Sequence, residues 1–279
     1  MTKPLFSALI LFSLAAGCAA RQRFMDDCPG AAQVDLASRV PVAVDLKTVA
    51  GGSEFALGVA QRSHSGVQYK VSKFRYYLSE ASLIDAKGAT VAVPLAGADG
   101  KPLRYGVALV DSANPESLKL NVLAPPGDYV ALNLGVGIPN TCPGGEPLNH
   151  GDPSARMAPL DVDSDMYWSW NPNYIFLKIE GHASVEGRSK SFFYHLGEDA
   201  RRGRLHLHIP LHVEAGRPAH AELVVDVNRL FVTKEGEDSP RPESGEGVHG
   251  GKVADQMAAN VAESGFFTAL HPGPAHARR

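Results

Sequence analysis

Met166-Tyr-Trp-Ser-Trp-Asn-Pro-Asn-Tyr-Ile-Phe-Leu-Lys-Ile-Glu-Gly181 holds both tryptophans of the chain and leads into an apolar run. Trp168 and Trp170 are two residues apart, so they share a face if the segment is extended and diverge if it is helical. Tyr174, Phe176 and Lys178 continue one face, while Ile175, Leu177 and Ile179 form the other. This period-two pattern, rich in β-branched and aromatic residues, predicts a strand. Two adjacent indoles suit either core packing or a binding platform.

Outward from this stretch, the 28 glycines and 20 prolines interrupt the chain too often for long helices. Strand patterns recur at Val42–Leu46, Phe55–Val59, Tyr69–Ile84, Thr90–Leu95, Tyr105–Asp111, Leu118–Val122 and Tyr129–Gly137. Beyond the tryptophans they return at Ala183–Val185, Ser191–Gly197, Arg204–Val213 and Ala221–Asn228. Such spacing predicts an all-β fold, an antiparallel β-sandwich with long loops. Val253, Met257 and Val261, with Ala254 and Ala258, have helical spacing and predict one short C-terminal helix over Lys252–Gly265. Between Ile138 and Asp165 the composition shifts to Pro, Gly, Asn and Asp, a loop long enough to suggest function. Glu235–Gly251 reads as a charged surface excursion.

Residues 1–17 resemble a secretory signal, with Lys3 before an apolar core from Leu5 to Ala16. Leu14-Ala-Ala-Gly-Cys18 has the form of a lipobox, in which Cys18 is lipidated; cleavage near Ala20 is the alternative. Lipidation would anchor the chain without a transmembrane helix. Ala19 points to the outer membrane, on the periplasmic side. Residues 18–33 read as a tether, 34–270 as the folded domain and 271–279 as a frayed tail. A net charge of −3 and a pI near 6.4 supply no basic field for nucleic acid. Cys28 and Cys142 remain as an even pair in an oxidising compartment, and a disulfide is the first reading. Two thiolate metal ligands are the other.

The eleven histidines offer imidazole, the commonest transition-metal ligand. His206 and His208, with His212, alternate along one strand face and form either a solvent face or a zinc or mixed-metal pair. His220, His249, His271 and His276 lie in polar segments and are expected in solvent. His150 and His195 bracket the tryptophans, each suited to a structural hydrogen bond or to metal ligation. No hydrolase, phosphate-loop or His-Glu-x-x-His pattern is present, so a binding role is expected ahead of an enzymatic one.

Lys73-Phe-Arg-Tyr-Tyr-Leu-Ser79, Leu148-Asn-His150, Ala158-Pro-Leu160, Met166-Tyr-Trp-Ser-Trp170, Tyr174–Gly181 and His195-Leu-Gly197, in that order, resemble the MbnP-like family of periplasmic copper-binding proteins. The resemblance covers roughly 34–267. It implies a β-sandwich bound to copper, served by a di-haem peroxidase-like (MbnH-like) partner that oxidises a tryptophan to kynurenine. Carried over, the modified residue is Trp168 or Trp170, with His150 and His195 as candidate ligands and His64 as a substitute. Four internal cysteines found in some relatives are absent. The competing class is a structural or interaction module in which the tryptophans are core and no metal binds.

Overall fold

Alternation of apolar and polar residues builds the strands. In the first, Val42, Val44 and Leu46 are buried while Ala43, Asp45 and Lys47 turn outward. The computed structural model describes residues 36–270, apart from 143, 144, 146, 172 and 233–239. In chain order the strands are β1 (Val40–Ala50), β2 (Ser53–Glu54), β3 (Ala60–Arg62), β4 (Gln68–Asp85), β5 (Thr90–Ala92), β6 (Leu95–Ala96), β7 (Ala108–Asp111) and β8 (Lys119–Ala124). There follow β9 (Gly127–Val136), β10 (Ile175–Val185), β11 (Arg188–Gly197), β12 (Gly203–Val213), β13 (Ala219–Asp226), β14 (Gly247–Val248) and β15 (Phe267–Leu270). One α-helix among the described residues, α1 (Gly251–Glu263), fills the position its periodicity predicts. Its Ala254, Met257 and Val261 are buried on the predicted stripe.

Two sheets face each other. The smaller runs β15-β13-β1-β8-β6, with β2 on β1. The larger runs β12-β9-β4-β10-β11-β14, with β3, β5 and β7 also on β4. The β-sandwich expected from the sequence is therefore present. Both sheets are mixed: β1 pairs parallel with β13, and β11 pairs parallel with β14. The 18-residue β4 pairs along its length with five other strands. Between the sheets lies the main core, with Phe74, Tyr76, Leu78, Ile179 and Tyr194 from the larger and Val42, Val122 and Leu223 from the smaller.

Part of the outer face of the larger sheet is covered too. The described residues of 137–174 fold across it, and Ile138, Cys142, Leu148, Leu160, Met166, Trp168 and Tyr174 join Tyr77, Tyr105, Val107, Ile175 and Phe176 in a second apolar cluster. Burying side chains such as Met166 and Phe176 stabilises by about 1.5–3 kcal/mol each. Ordering a loop costs about 1–2 kcal/mol per residue, so polar anchors are needed as well. Tyr77 donates its hydroxyl to Pro159 O at 2.8 Å and Tyr174 donates to Leu160 O at 2.6 Å. Cys142 is buried here; its expected partner Cys28, like Cys18 and the tail histidines, lies outside the described residues.

Three expectations change. The Met166–Gly181 stretch is not one strand, because the chain reverses at Asn171–Asn173 and Tyr167 bridges back to Tyr174. Asn171 and Asn173 supply turn chemistry that outweighs the apolar alternation, with the Asn173 amide donating to Asn171 Oδ1 at 3.0 Å. Phe55–Val59 is no strand, although Phe55 is buried against Phe74. Gly247–Val248, placed by sequence in a surface excursion, adds a strand beside β11.

Candidate functional site

Cross-strand register sets the site. On the outer face of the larger sheet, Asp111, Arg75, Lys178 and His195 lie in one row across β7, β4, β10 and β11. The adjacent row is Lys73, Glu180, Phe193 and Gly247, ending on β14. Directly opposed side chains on one face are about 4.5–5.5 Å apart and interact. Arg75 Nε lies 2.9 Å from Asp111 Oδ2. Lys178 is buried, with Nζ 3.0 Å from Asp165 Oδ1 and also bonded to the Asp165 carbonyl. Lys73 Nζ reaches Asp165 Oδ2 at 2.5 Å. Asp165 has φ 52°, a left-handed conformation that Asp tolerates. Burial alone would raise its pKa, but hydrogen bonds and charge from Lys73 and Lys178 more than offset that and hold the carboxyl below its usual range.

At the end of this ladder the aromatic rings gather. His195 and His249 have ring centroids 4.9 Å apart. His249 lies 6.1 Å from Trp168 and 5.8 Å from Trp170, edge-on to both. The two indoles are 5.5 Å apart with planes tilted by 37°. They share the edge of one site although neither lies in a strand. Trp168 is buried and Trp170 is 67% exposed. Phe193 stands beside both imidazoles, at 6.3 Å from His195 and 6.1 Å from His249.

Two glycines make room. A Cβ on Gly197 would stand 2.5 Å from the Trp168 ring, and one on Gly247 would stand 2.0 Å from the Phe193 ring. Tyr194 secures the segment leading to His249, donating to Arg241 O at 2.7 Å and accepting from Arg241 N at 3.2 Å.

The polar atoms define the chemistry. His195 Nε2 lies 2.8 Å from Glu180 Oε1. A carboxylate accepts, so Nε2–H donates and the Nδ1 lone pair is left available. Burial is the largest influence on His195 and lowers its pKa to about 4; Lys178 and His249 act in the same direction and Glu180 opposes them. The ring is therefore neutral, the form that binds metals. Two buried atoms here, Trp168 Nε1 and His249 Nδ1, have no hydrogen-bond partner among the described residues. A buried polar group left unpaired costs about 1–3 kcal/mol.

Spacing gives an independent test. A metal–imidazole bond of about 2.0–2.1 Å places each ring centroid roughly 3.2 Å from the metal, so two rings at 90–110° are about 4.5–5.2 Å apart. The 4.9 Å between His195 and His249 fits that range.

Of the residues singled out from sequence, Trp168, Trp170 and His195 are brought together. His150 is exposed, its backbone bridged to Asn173 and its Nε2 3.8 Å from Asp199 Oδ2. His64 is exposed in the turn between β3 and β4. That turn lies beyond the Gln68–Ser184 pair, six residues along β10 from the Lys178–His195 row, roughly 20 Å by strand rise. His220 is exposed, as expected. His249 is not: it is half-buried against four aromatic rings and belongs to the site. Its sequence signal was only Val248, an apolar residue inside the charged excursion. Among the described residues, no three His, Cys, Asp or Glu side chains form a ready cluster for a metal ion.

The structure is similar to MbnP from Methylosinus trichosporium, with a TM-score of 0.55 and 23% identity over 77% of this chain and 82% of that one. At that identity the likeness establishes the fold. No curated protein matches the chain. The MbnP family profile matches residues 39–245, a span that runs from β1 through both tryptophans, Glu180 and His195 and stops just short of β14. The chain belongs to the MbnP family.

Proposed function

We propose that this protein is an exported copper-binding protein whose metal is held by His195 and His249 beside the Trp168–Trp170 pair. The observation that carries the reading is the imidazole pair at ligand spacing, with Glu180 holding one ring's tautomer and His249 Nδ1 buried without a partner among the described residues. Imidazole suits copper, and an apolar rim of Phe193 and the indoles limits solvent access.

Two imidazoles do not complete a copper site, and the third donor would come from a kynurenine. Cleavage of an indole C2–C3 bond by dioxygen activated at a di-haem partner would insert two oxygen atoms, and hydrolysis of the resulting N-formyl group would release C2 as formate, leaving an aryl amine and a ketone. Trp168 is the residue we assign to this change, because its buried Nε1 has no partner among the described residues and becomes the amine nitrogen. Trp170, largely exposed and packed at a tilt against Trp168, is the ring that a docking partner meets first. MbnP family membership suggests a non-catalytic accessory protein, in keeping with this binding role. A lipid anchor at Cys18 on the periplasmic side of the outer membrane, and a Cys28–Cys142 disulfide, complete the proposal.

Protein purified from its native periplasm, measured by metal analysis and electron paramagnetic resonance, tests the site. The expected result is bound copper with nitrogen hyperfine structure that disappears in the His195→Ala, His249→Ala double variant. Copper bound equally by that variant would overturn the ligand assignment. Fragmentation mass spectrometry across Met166–Lys178 shows whether Trp168, Trp170 or neither is converted.

A further inference from the structure

A second pair of imidazoles lies on the same sheet at its opposite edge. In β12, Leu205, Leu207 and Ile209 are buried and Arg204, His206 and His208 point outward to solvent. The His206 and His208 ring centroids are 5.1 Å apart, their planes at 85°. That separation also falls within the roughly 4.5–5.2 Å expected for two imidazoles sharing one metal ion.

One ring is already oriented. His206 Nδ1 lies 2.7 Å from Asn133 Oδ1, and the same amide donates through Nδ2 to Ser82 Oγ at 3.2 Å. The amide oxygen can only accept, so Nδ1 of His206 carries the proton and Nε2 presents its lone pair outward. This repeats on β12, β9 and β4 what Glu180 does for His195, a partner on a neighbouring strand fixing the tautomer. His208 has no hydrogen-bond partner among the described residues. Beside the pair a cleft of about 330 Å³ is lined by Glu80, Ser82, Asn133 and Arg204. It leaves room for water on the open positions of a bound cation. The Glu80 carboxylate is engaged by Arg202 at 3.3 Å.

We propose that His206 and His208 form a second, solvent-open site for a divalent transition-metal ion, Cu²⁺ in first preference. Imidazole nitrogen ligands and open tetragonal positions favour Cu²⁺ among the first-row divalent ions. The pair is separated from His195 by β9, β4 and β10, four strand spacings or roughly 19 Å, so the two sites bind independently. An exposed two-ligand site exchanges its ion readily, which suits transient loading.

The test is equilibrium dialysis of the full chain against Cu²⁺, with electron paramagnetic resonance of the bound ion, for wild type, the His206→Gln, His208→Gln variant and the His195→Ala, His249→Ala variant. Both β12 side chains are exposed, so the first variant folds. The expected result is that it loses one equivalent, together with a signal showing coupling to two nitrogens. That equivalent remains in the second variant, whatever becomes of copper at the tryptophan site. An unchanged stoichiometry and spectrum in the His206→Gln, His208→Gln variant would overturn the proposal.

Discussion

The ring of Trp168 packs directly over Gly197, so closely that a methyl group at that position would come within 2.5 Å of the indole and 2.7 Å of the Tyr174 carbonyl. Replacing Gly197 with alanine is therefore an overpacking change, and backbone at Tyr174 cannot yield as a side-chain tip would. It is expected to destabilise by about 1–3 kcal/mol. Trp168 should also move, seen as altered tryptophan fluorescence and loss of copper in the native-periplasm preparation. Chemical denaturation with unchanged stability would show that the indole is not seated there.

The depressed pKa of His195 fixes the sign of a pH effect. In the unfolded chain the ring takes a proton near pH 6.5, whereas the folded protein resists protonation down to about 4. Between those values unfolding takes up a proton, so this group's contribution to stability is full above pH 6.5 and declines as pH falls toward 4. Urea titrations of wild type and His195→Gln across pH 4–8 measure it. The difference between the two should shrink on acidification; a difference independent of pH would contradict the burial argument.

Tyr194→Phe removes the hydroxyl that bonds both backbone groups of Arg241. The ring stays in the core against Phe192 and Phe231, so packing is kept. The loss should cost about 1–3 kcal/mol, since the Arg241 groups are partly desolvated. The effect on metal should be larger than on the rest of the molecule, because the segment it secures carries His249. Hydrogen exchange at residues 240–250 should accelerate while β4 stays protected.

Asp165→Asn separates charge from backbone shape, because asparagine also accepts a φ of 52°. Lys178 then keeps a carbonyl oxygen but loses its carboxylate. A destabilisation of about 1–3 kcal/mol is expected at neutral pH. In wild type the Asp165 carboxyl is held below its usual range, so its stabilisation is present above about pH 3.9 and fades as pH falls below that value. The variant should lose less stability on acidification than wild type does, as measured by thermal unfolding at pH 3 and pH 7.

Much of the fold was legible in alternation. Val42, Val44 and Leu46, or Leu205, Leu207 and Ile209, announce both strand and buried face, and α1 follows from Ala254, Met257 and Val261. Adjacent Tyr76 and Tyr77 are less readable, since both are fully buried, one between the sheets and one under the loop. A strand covered on both faces loses its polar alternation. At the site, the indole pair and His195 stood out because Trp is rare and the histidine shares an apolar context with it. His249 did not, because its environment comes from the parallel pairing of β14 with β11, a contact across more than fifty residues. A two-residue strand has no periodicity to read. The parallel pairing of β1 with β13 is hidden for the same reason: partner choice is a tertiary property.

The attachment of β14 has a thermodynamic consequence. Only Phe193–Gly247 and Tyr194–Val248 pair in this ladder, and His249 follows at once. An ion bridging His195 and His249, as proposed, would act as a clasp that closes β14 onto the sheet. Whatever binds the closed form alone lowers its free energy by RT ln(1 + [L]/Kd), about 2.7 kcal/mol at a hundredfold excess over Kd. The opening of one short edge strand would then set how quickly the ion can leave, and copper retention would become a measure of edge-strand stability.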